Sequence, residues 1–140
     1  MVEIKNLVKK YGTKYALDDI SFTIDDGEIV GFLGPNGAGK STTMNIVTGY
    51  LASTSGTVVI DGKDVFEDPI EAKKLIGYLP EQPPLYMDMT VQEYLEFVFE
   101  LKSCTLNKKK HIDEICVITK IDSVRDRLIK NLSKGFRQRV

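Results

Sequence analysis

What this sequence lacks narrows it before any motif is considered. No apolar run approaches the ~20 residues that a bilayer-spanning helix needs. The N-terminal stretch mixes Glu3, Lys5, Lys9, Lys10, Lys14, Asp18 and Asp19 among apolar residues, so no secretory leader is expected. The two cysteines, Cys104 and Cys116, have no CxxC spacing and no metal-ligand neighbours, and they read as reduced thiols rather than as a disulfide or zinc framework. The single histidine, His111, follows Lys108-Lys109-Lys110 at a polar helix start and reads as solvated, like the lysines. A net charge of −1 gives no broad attraction for nucleic acid or an anionic membrane, so no nucleic-acid partner is expected. There is no internal repeat and no low-complexity linker.

What is present is an ordinary globular composition, 42% hydrophobic and 28% charged over 140 residues, enough for one domain with a core. The most informative stretch is Gly34-Pro35-Asn36-Gly37-Ala38-Gly39-Lys40-Ser41-Thr42. It fits glycine, four residues, then glycine-lysine-serine or threonine, which is the phosphate-binding P-loop. Gly37 and Gly39 let the backbone turn so that successive N–H groups face phosphate oxygens. Lys40 brings a compact positive charge to the β- and γ-phosphates, and the Ser41 hydroxyl is a ligand for Mg²⁺. The context agrees: Ile29 to Leu33 reads as a short buried strand before the loop, and Ser41 to Thr48 as a helix after it, with Met44 and Val47 on one side.

The rest of the chain reads in order. Val2 to Val8 is predicted to be a strand, residues 9–12 a turn, and Ala16 to Ile24 a second strand. Asp25-Asp26-Gly27 predicts a hairpin between that strand and the one entering the P-loop. Thr57 to Ile60 is a further short strand, ended by Asp61-Gly62. Asp68-Pro69 starts a short helix, and Ile76 to Leu79 is a strand stopped by Pro80. Thr90 and Glu93 form a capping box ahead of a helix carrying Val91, Tyr94, Leu95 and Val98. A last helix runs from about Asn107 to Lys120, with Ile112, Ile115 and Ile118 on its apolar side.

Taken together, Tyr11 after the first strand, the P-loop, the Tyr78-Leu79-Pro80-Glu81-Gln82 stretch and Leu132-Ser133-Lys134-Gly135-Phe136 resemble the ATP-binding subunit of ABC transporters, over the whole chain. The pattern is most similar to subunits that drive ABC-2-type exporters. The resemblance implies an α/β P-loop NTPase fold of the ABC ATPase type, incomplete in this chain. A nucleotide-binding core with a β-rich subdomain would occupy residues 1–85, and a helical subdomain running to the signature motif residues 86–140. It implies ATP and Mg²⁺ as ligands, with Tyr11 stacked on adenine and residues 34 to 42 on the triphosphate. On its own, Tyr11 reads as a surface tyrosine in a turn.

The stretch from Pro80 to Tyr86 corresponds to the family's Q-loop, which contacts the metal, the nucleophilic water and the membrane partner. Glu81 stands where the family usually has glutamine, and Gln82 is one residue late; either side chain fits the role, since a carboxylate also ligates Mg²⁺. Ser133 and Gly135 match the signature, whereas Lys134 and Phe136 depart from it. By resemblance that segment caps the nucleotide of a second ATP-binding subunit in a head-to-tail dimer. A transmembrane permease subunit is the other partner, at the cytoplasmic face of the membrane. An ABC-type ATPase working on ribosomes or DNA is the alternative. No apolar run followed by Asp-Glu, the family's Walker B pattern, occurs: Asp113-Glu114 follows only Ile112, and Asp18-Asp19 precedes the P-loop. The switch histidine is also absent. The chain thus reads as the first part of an ATPase ending just after the signature, able to bind ATP but not to turn it over.

Overall fold

A computed structural model describes all 140 residues. By its internal contacts the chain divides into two compact units, Met1–Tyr78 and Leu79–Val140.

The first unit is built on a four-stranded antiparallel sheet of β1 (Val2–Tyr11), β2 (Lys14–Ile24), β3 (Ser55–Ile60) and β4 (Lys63–Asp64), in the order β2-β1-β3-β4. The long hairpin is β1–β2, closed at Gly12-Thr13 with Tyr11 opposite Lys14 and Lys10 opposite Tyr15. β1 therefore runs through the residues predicted to turn, and Tyr11 is its last residue. Packed with the sheet are α1 (Lys40–Val47) and α2 (Pro69–Lys74). Leu7, Ile46 and Val58 are fully buried at the centre of this core, with Ile4, Leu17, Ile60, Val65 and Ala72 around them. Complete burial of one such aliphatic side chain stabilises by about 1.5–3 kcal/mol. On α1 the buried residues are Thr43 and Ile46, whereas Met44, expected on the apolar side, is exposed.

Two predicted strands are not formed. Residues 28–35 have no regular structure, and the hairpin expected at Asp25-Asp26-Gly27 does not exist. Ile29 and Leu33 are 102% and 92% exposed rather than buried. Residues 76–80 are likewise irregular, with Tyr78 and Leu79 exposed. Both stretches have strand composition, but a strand forms only where a neighbour completes its hydrogen-bond ladder. Neither stretch pairs with a strand of the sheet β2-β1-β3-β4.

The second unit is helical: α3 (Val91–Leu101), α4 (Lys108–Thr119) and α5 (Lys134–Arg137), with single 3₁₀ turns at Asp122–Val124 and Ile129–Asn131. The capping box is present as predicted. The Thr90 hydroxyl accepts from the Glu93 N–H, while the Glu93 carboxylate accepts from the Thr90 N–H at 2.7 Å. The bonds that the Glu93 carboxylate accepts from the Thr90 N–H and, at 2.9 Å, from the Thr90 hydroxyl hold its carboxyl below the usual range. Asn107 caps α4 through the Lys110 N–H. Val91, Leu95, Ile112, Cys116, Ile121, Val124, Ile129 and Leu132 form the core. Ile112 and Cys116 face it, but Ile118 is 78% exposed, because the 3.6-residue period carries it round to solvent. Burial pushes the Cys116 thiol pKa up, the character of an inert core cysteine. His111 is half-buried rather than solvated, its ring 6.1 Å from that of Phe99. No helix is long and apolar enough to cross a membrane.

Candidate functional site: a bare helix end behind a glycine loop

The site in the first unit is built from residues 34 to 43. Gly37 and Gly39 have φ of +84° and +88°, where side-chain-bearing residues are strained. At Gly39 the space is closed as well: a Cβ there would lie 2.6 Å from both the Ala16 carbonyl oxygen and the Leu17 side chain. This contact presses the loop onto β2, the strand paired with Tyr11's strand, so one close approach ties the tyrosine hairpin to the loop. Leu17 is buried and anchors the contact in the core. Thr43, buried one turn into α1, donates through Oγ1 to the Gly39 carbonyl at 3.0 Å, and its N–H bonds the same oxygen at 2.8 Å.

α1 begins at Lys40, with Gly39 in the cap position and no side-chain cap. The N–H groups of Gly39, Lys40, Ser41 and Thr42 have no acceptor in the protein; only that of Ala38 does, at 3.2 Å from the Pro35 carbonyl. These are the orphan donors of a helix start, aimed along the positive end of its dipole. Lys40 Nζ donates to the carbonyls of Gly34 at 2.6 Å and Pro35 at 2.8 Å, so its ammonium lies against the loop itself. Ser41 is exposed and its hydroxyl has no partner. The residues present therefore fit a triphosphate: unpaired amides, one ammonium, one hydroxyl for a divalent ion, and no carboxylate among residues 29–47. Gly34, Pro35, Asn36, Gly37 and Ala38 are all open to solvent.

Tyr11 is 54% exposed at the end of β1, with the Lys9 ammonium 5.3 Å from its ring centre. The ring is free to stack on a flat partner. Ala16, Leu17 and Thr43 also belong to the site, and motif spacing does not reveal them. Thr43 extends a Ser-Thr-Thr run that hints at it, whereas the Ala16 and Leu17 contact is made only by folding.

The second unit holds the other sequence-predicted residues. Glu81 and Gln82 are exposed in an irregular stretch and have no hydrogen-bond partner. Ser133 caps α5, its Oγ accepting from the Phe136 N–H at 3.3 Å, and Gly135 has open space where a side chain would be. The segment leading to them is fixed by backbone bonds. Val91 and Gln92 donate to the carbonyls of Arg127 and Arg125 at 3.1 and 3.0 Å, and Ile129 donates to that of Met89 at 2.9 Å.

A glycine loop with unpaired amides, opening a helix that begins with lysine and serine, defines a P-loop phosphate-binding protein. Comparison with known families narrows the class. Residues 17–140 match the ABC transporter family model, and the chain belongs to that family. It is 39% identical over 140 residues to the lipopolysaccharide export system ATP-binding protein LptB of Haemophilus influenzae, covering 97% of this chain and 58% of that protein. It is 36% identical over 143 residues to the probable multidrug ABC transporter ATP-binding protein YbhF of Escherichia coli, covering all of this chain and 24% of that one. Among solved structures, an ATP-binding subunit of an ABC transporter superposes over 99% of this chain and 58% of its own, with a TM-score of 0.90 and 27% identity. The dimeric ATP-binding cassette MJ0796, in a post-hydrolysis state bound to ADP and Pi, superposes over 99% and 66%, with a TM-score of 0.84 and 30% identity. The fold is thus the P-loop ABC ATPase fold in part, and the chain spans well under two thirds of the length of these two curated relatives.

Proposed function

We propose that this chain binds Mg·ATP on residues 34 to 42 and is the motor part of an ABC transporter, coupling ATP hydrolysis in the whole protein to transport. The observation that carries the reading is the bare start of α1, with four successive unpaired N–H groups beside the Lys40 ammonium. The Gly39 to Thr42 amides take the β-phosphate oxygens, and Lys40 exchanges its two loop carbonyls for the β- and γ-phosphates. Ser41 would be the ligand in this loop for Mg²⁺, which would supply charge neutralisation to the triphosphate. Tyr11 provides the adenine platform.

Ser133 and Gly135 complete the nucleotide site of a second ATP-binding subunit, head to tail. A transmembrane permease subunit is the membrane partner, which places the protein at the cytoplasmic face. Transport is favoured over work on ribosomes or DNA by the relatives' names, which are those of export and multidrug transporter proteins, and by the net charge of −1.

Titration of a labelled ATP analogue against the wild type and Lys40→Ala tests the site. Loss of charge-assisted contacts worth about 1.5–3 kcal/mol should weaken binding ten-fold or more; equal affinities would sink the assignment. The 140 residues alone should bind ATP and release no phosphate above a no-enzyme control. Release that Lys40→Ala abolishes would show that hydrolysis needs no further carboxylates.

A further inference from the structure

The end of β1 is held by more than its two neighbouring strands. Residues 52–54, which follow α1, bond to three consecutive residues of β1. The Thr54 N–H donates to the Val8 carbonyl at 2.8 Å, the Lys9 ammonium to the Ala52 carbonyl at 2.7 Å, and the Lys10 N–H to the Thr54 hydroxyl at 2.9 Å. The segment leaving the far end of the P-loop helix is thus clipped to the strand that carries Tyr11. Lys9 stands two residues before Tyr11 and opposite Leu17 in the β1–β2 ladder. Alternation along a strand and pairing across it put these three side chains on one face of the sheet. Leu17 is the side chain that closes the space at Gly39, so this is also the face that carries the P-loop. Lys9 is half-buried, and its ammonium lies 5.3 Å from the Tyr11 ring centre while bonded to Ala52. That is within the ~6 Å over which a ring face attracts a cation. Lys10, by contrast, is exposed and on the other face, its ammonium 4.3 Å from the ring of Tyr15, the residue opposite it.

We propose that Lys9 is a positioning residue for nucleobase recognition: anchored on the Ala52 carbonyl, its ammonium holds the Tyr11 ring from one side and leaves the opposite side for the adenine. The inference rests on the adenine platform given under the proposed function. Tyr11 is 54% exposed at a strand end, so its ring has room to turn about its side-chain torsions, and immobilising such a side chain on binding costs free energy. A cation already fixed by a backbone acceptor lowers that cost before the ligand arrives. The triphosphate is held elsewhere, by residues 34 to 42. The contribution of Lys9 therefore belongs to the base, and a polyphosphate without a base does not feel it.

Isothermal titration of the full natural protein with Mg·ATP and with magnesium tripolyphosphate tests this. The variants are Lys9→Met, Lys9→Gln, Lys9→Arg, Lys10→Met, Tyr11→Ala, and Lys9→Met combined with Tyr11→Ala. Lys9→Met should weaken ATP binding about two- to five-fold, the scale of an exposed cation–ring contact, and leave tripolyphosphate binding unchanged. Lys9→Gln keeps an N–H donor without the charge, and should show the same loss even if Lys9→Met does not fold. Lys9→Arg should retain most of the affinity, and Lys10→Met, which removes an equal charge from the other face, should match the wild type. In the Tyr11→Ala background the loss of Lys9 should have no further effect. Wild-type ATP affinity in Lys9→Met or Lys9→Gln overturns the inference alone. So does an equal loss for tripolyphosphate, an equal loss in Lys10→Met, or an additive loss in the double variant. A Tyr11→Ala protein with wild-type ATP affinity overturns both this inference and the platform reading beneath it.

Discussion

Two helix starts in this molecule show opposite solutions to one problem. Every α-helix opens with backbone N–H groups that no helical carbonyl can reach. At α3 all are satisfied internally: Thr90 by the Glu93 carboxylate, Val91 and Gln92 by carbonyls of Arg127 and Arg125, and Glu93 by the Thr90 hydroxyl. At α1 the corresponding four, on Gly39, Lys40, Ser41 and Thr42, have no acceptor, and the cap residue is a glycine without a side chain. The first arrangement spends its donors on stability and ties a distant segment in place. The second leaves them facing solvent beside a lysine, where an anion supplies what the protein withholds. An uncapped start is costly for structure alone, and here it stands beside a glycine loop and a lysine.

The strongest way to break the contrast is to close the α1 loop. Gly39→Ala combines a left-handed φ with a Cβ forced to 2.6 Å from the Ala16 carbonyl. The backbone strain alone is about 1–3 kcal/mol, and the clash adds to it. We expect a clear fall in thermal stability together with loss of nucleotide binding. Gly37→Ala shares the φ but meets nothing within 4 Å, so it should cost far less. Equal melting temperatures for the two would show that the Ala16 contact does not hold the loop.

Tyr11 sharpens the comparison from the ligand's side. Tyr11→Ala should weaken ATP binding by about 1–3 kcal/mol, the scale of a base–aromatic stack, while Tyr11→Phe should keep most of it. Isothermal titration of the three proteins decides the point, and alike Ala and Phe variants would leave Tyr11 a surface residue.

The smallest effect is expected at α3. Thr90→Ala removes the cap hydroxyl and should cost about 1 kcal/mol of stability, with ATP affinity untouched. The pH dependence has a definite sign. The Glu93 carboxyl is held low by its bonds to Thr90, so its contribution is fully present above the ordinary glutamate pKa of about 4.3 and is lost as pH falls through the lower folded value. The stability gap between wild type and Thr90→Ala, followed by denaturant melts, should therefore shrink on acidification. A gap that widens in acid would mean that Glu93 does not work through Thr90.

The elements legible in the sequence are those whose determinants are local. The Thr90/Glu93 box and the Asn107 cap each bring donor, acceptor and backbone geometry within a few residues, Pro69 presets its helix start although the Asp68 side chain makes no cap bond, and the helices begin where these place them. The P-loop was legible for the same reason. The two missing strands were not, because apolar content at Ile29 to Leu33 and Ile76 to Leu79 says only that a ladder would be welcome, and not that a neighbouring strand exists. Ile118 was misplaced for a subtler reason: a three-residue spacing drifts around a helix whose true period is 3.6, and Cys116 takes the buried position instead.

By itself, then, the sequence determined the P-loop pattern of residues 34 to 42, the helix starts and the resemblance to ABC ATP-binding subunits, since each is written in neighbouring residues. Tertiary structure alone decided that Tyr11 ends a strand, that the hairpin is β1–β2, and that Gly39 is locked by Ala16 and Leu17 of β2. It also decided that the α3 amides are satisfied by Arg125 and Arg127 while those of α1 are left bare. The physical reason is common to all of these: a hydrogen bond or a steric contact between residues far apart in the chain exists only once the core has brought them together.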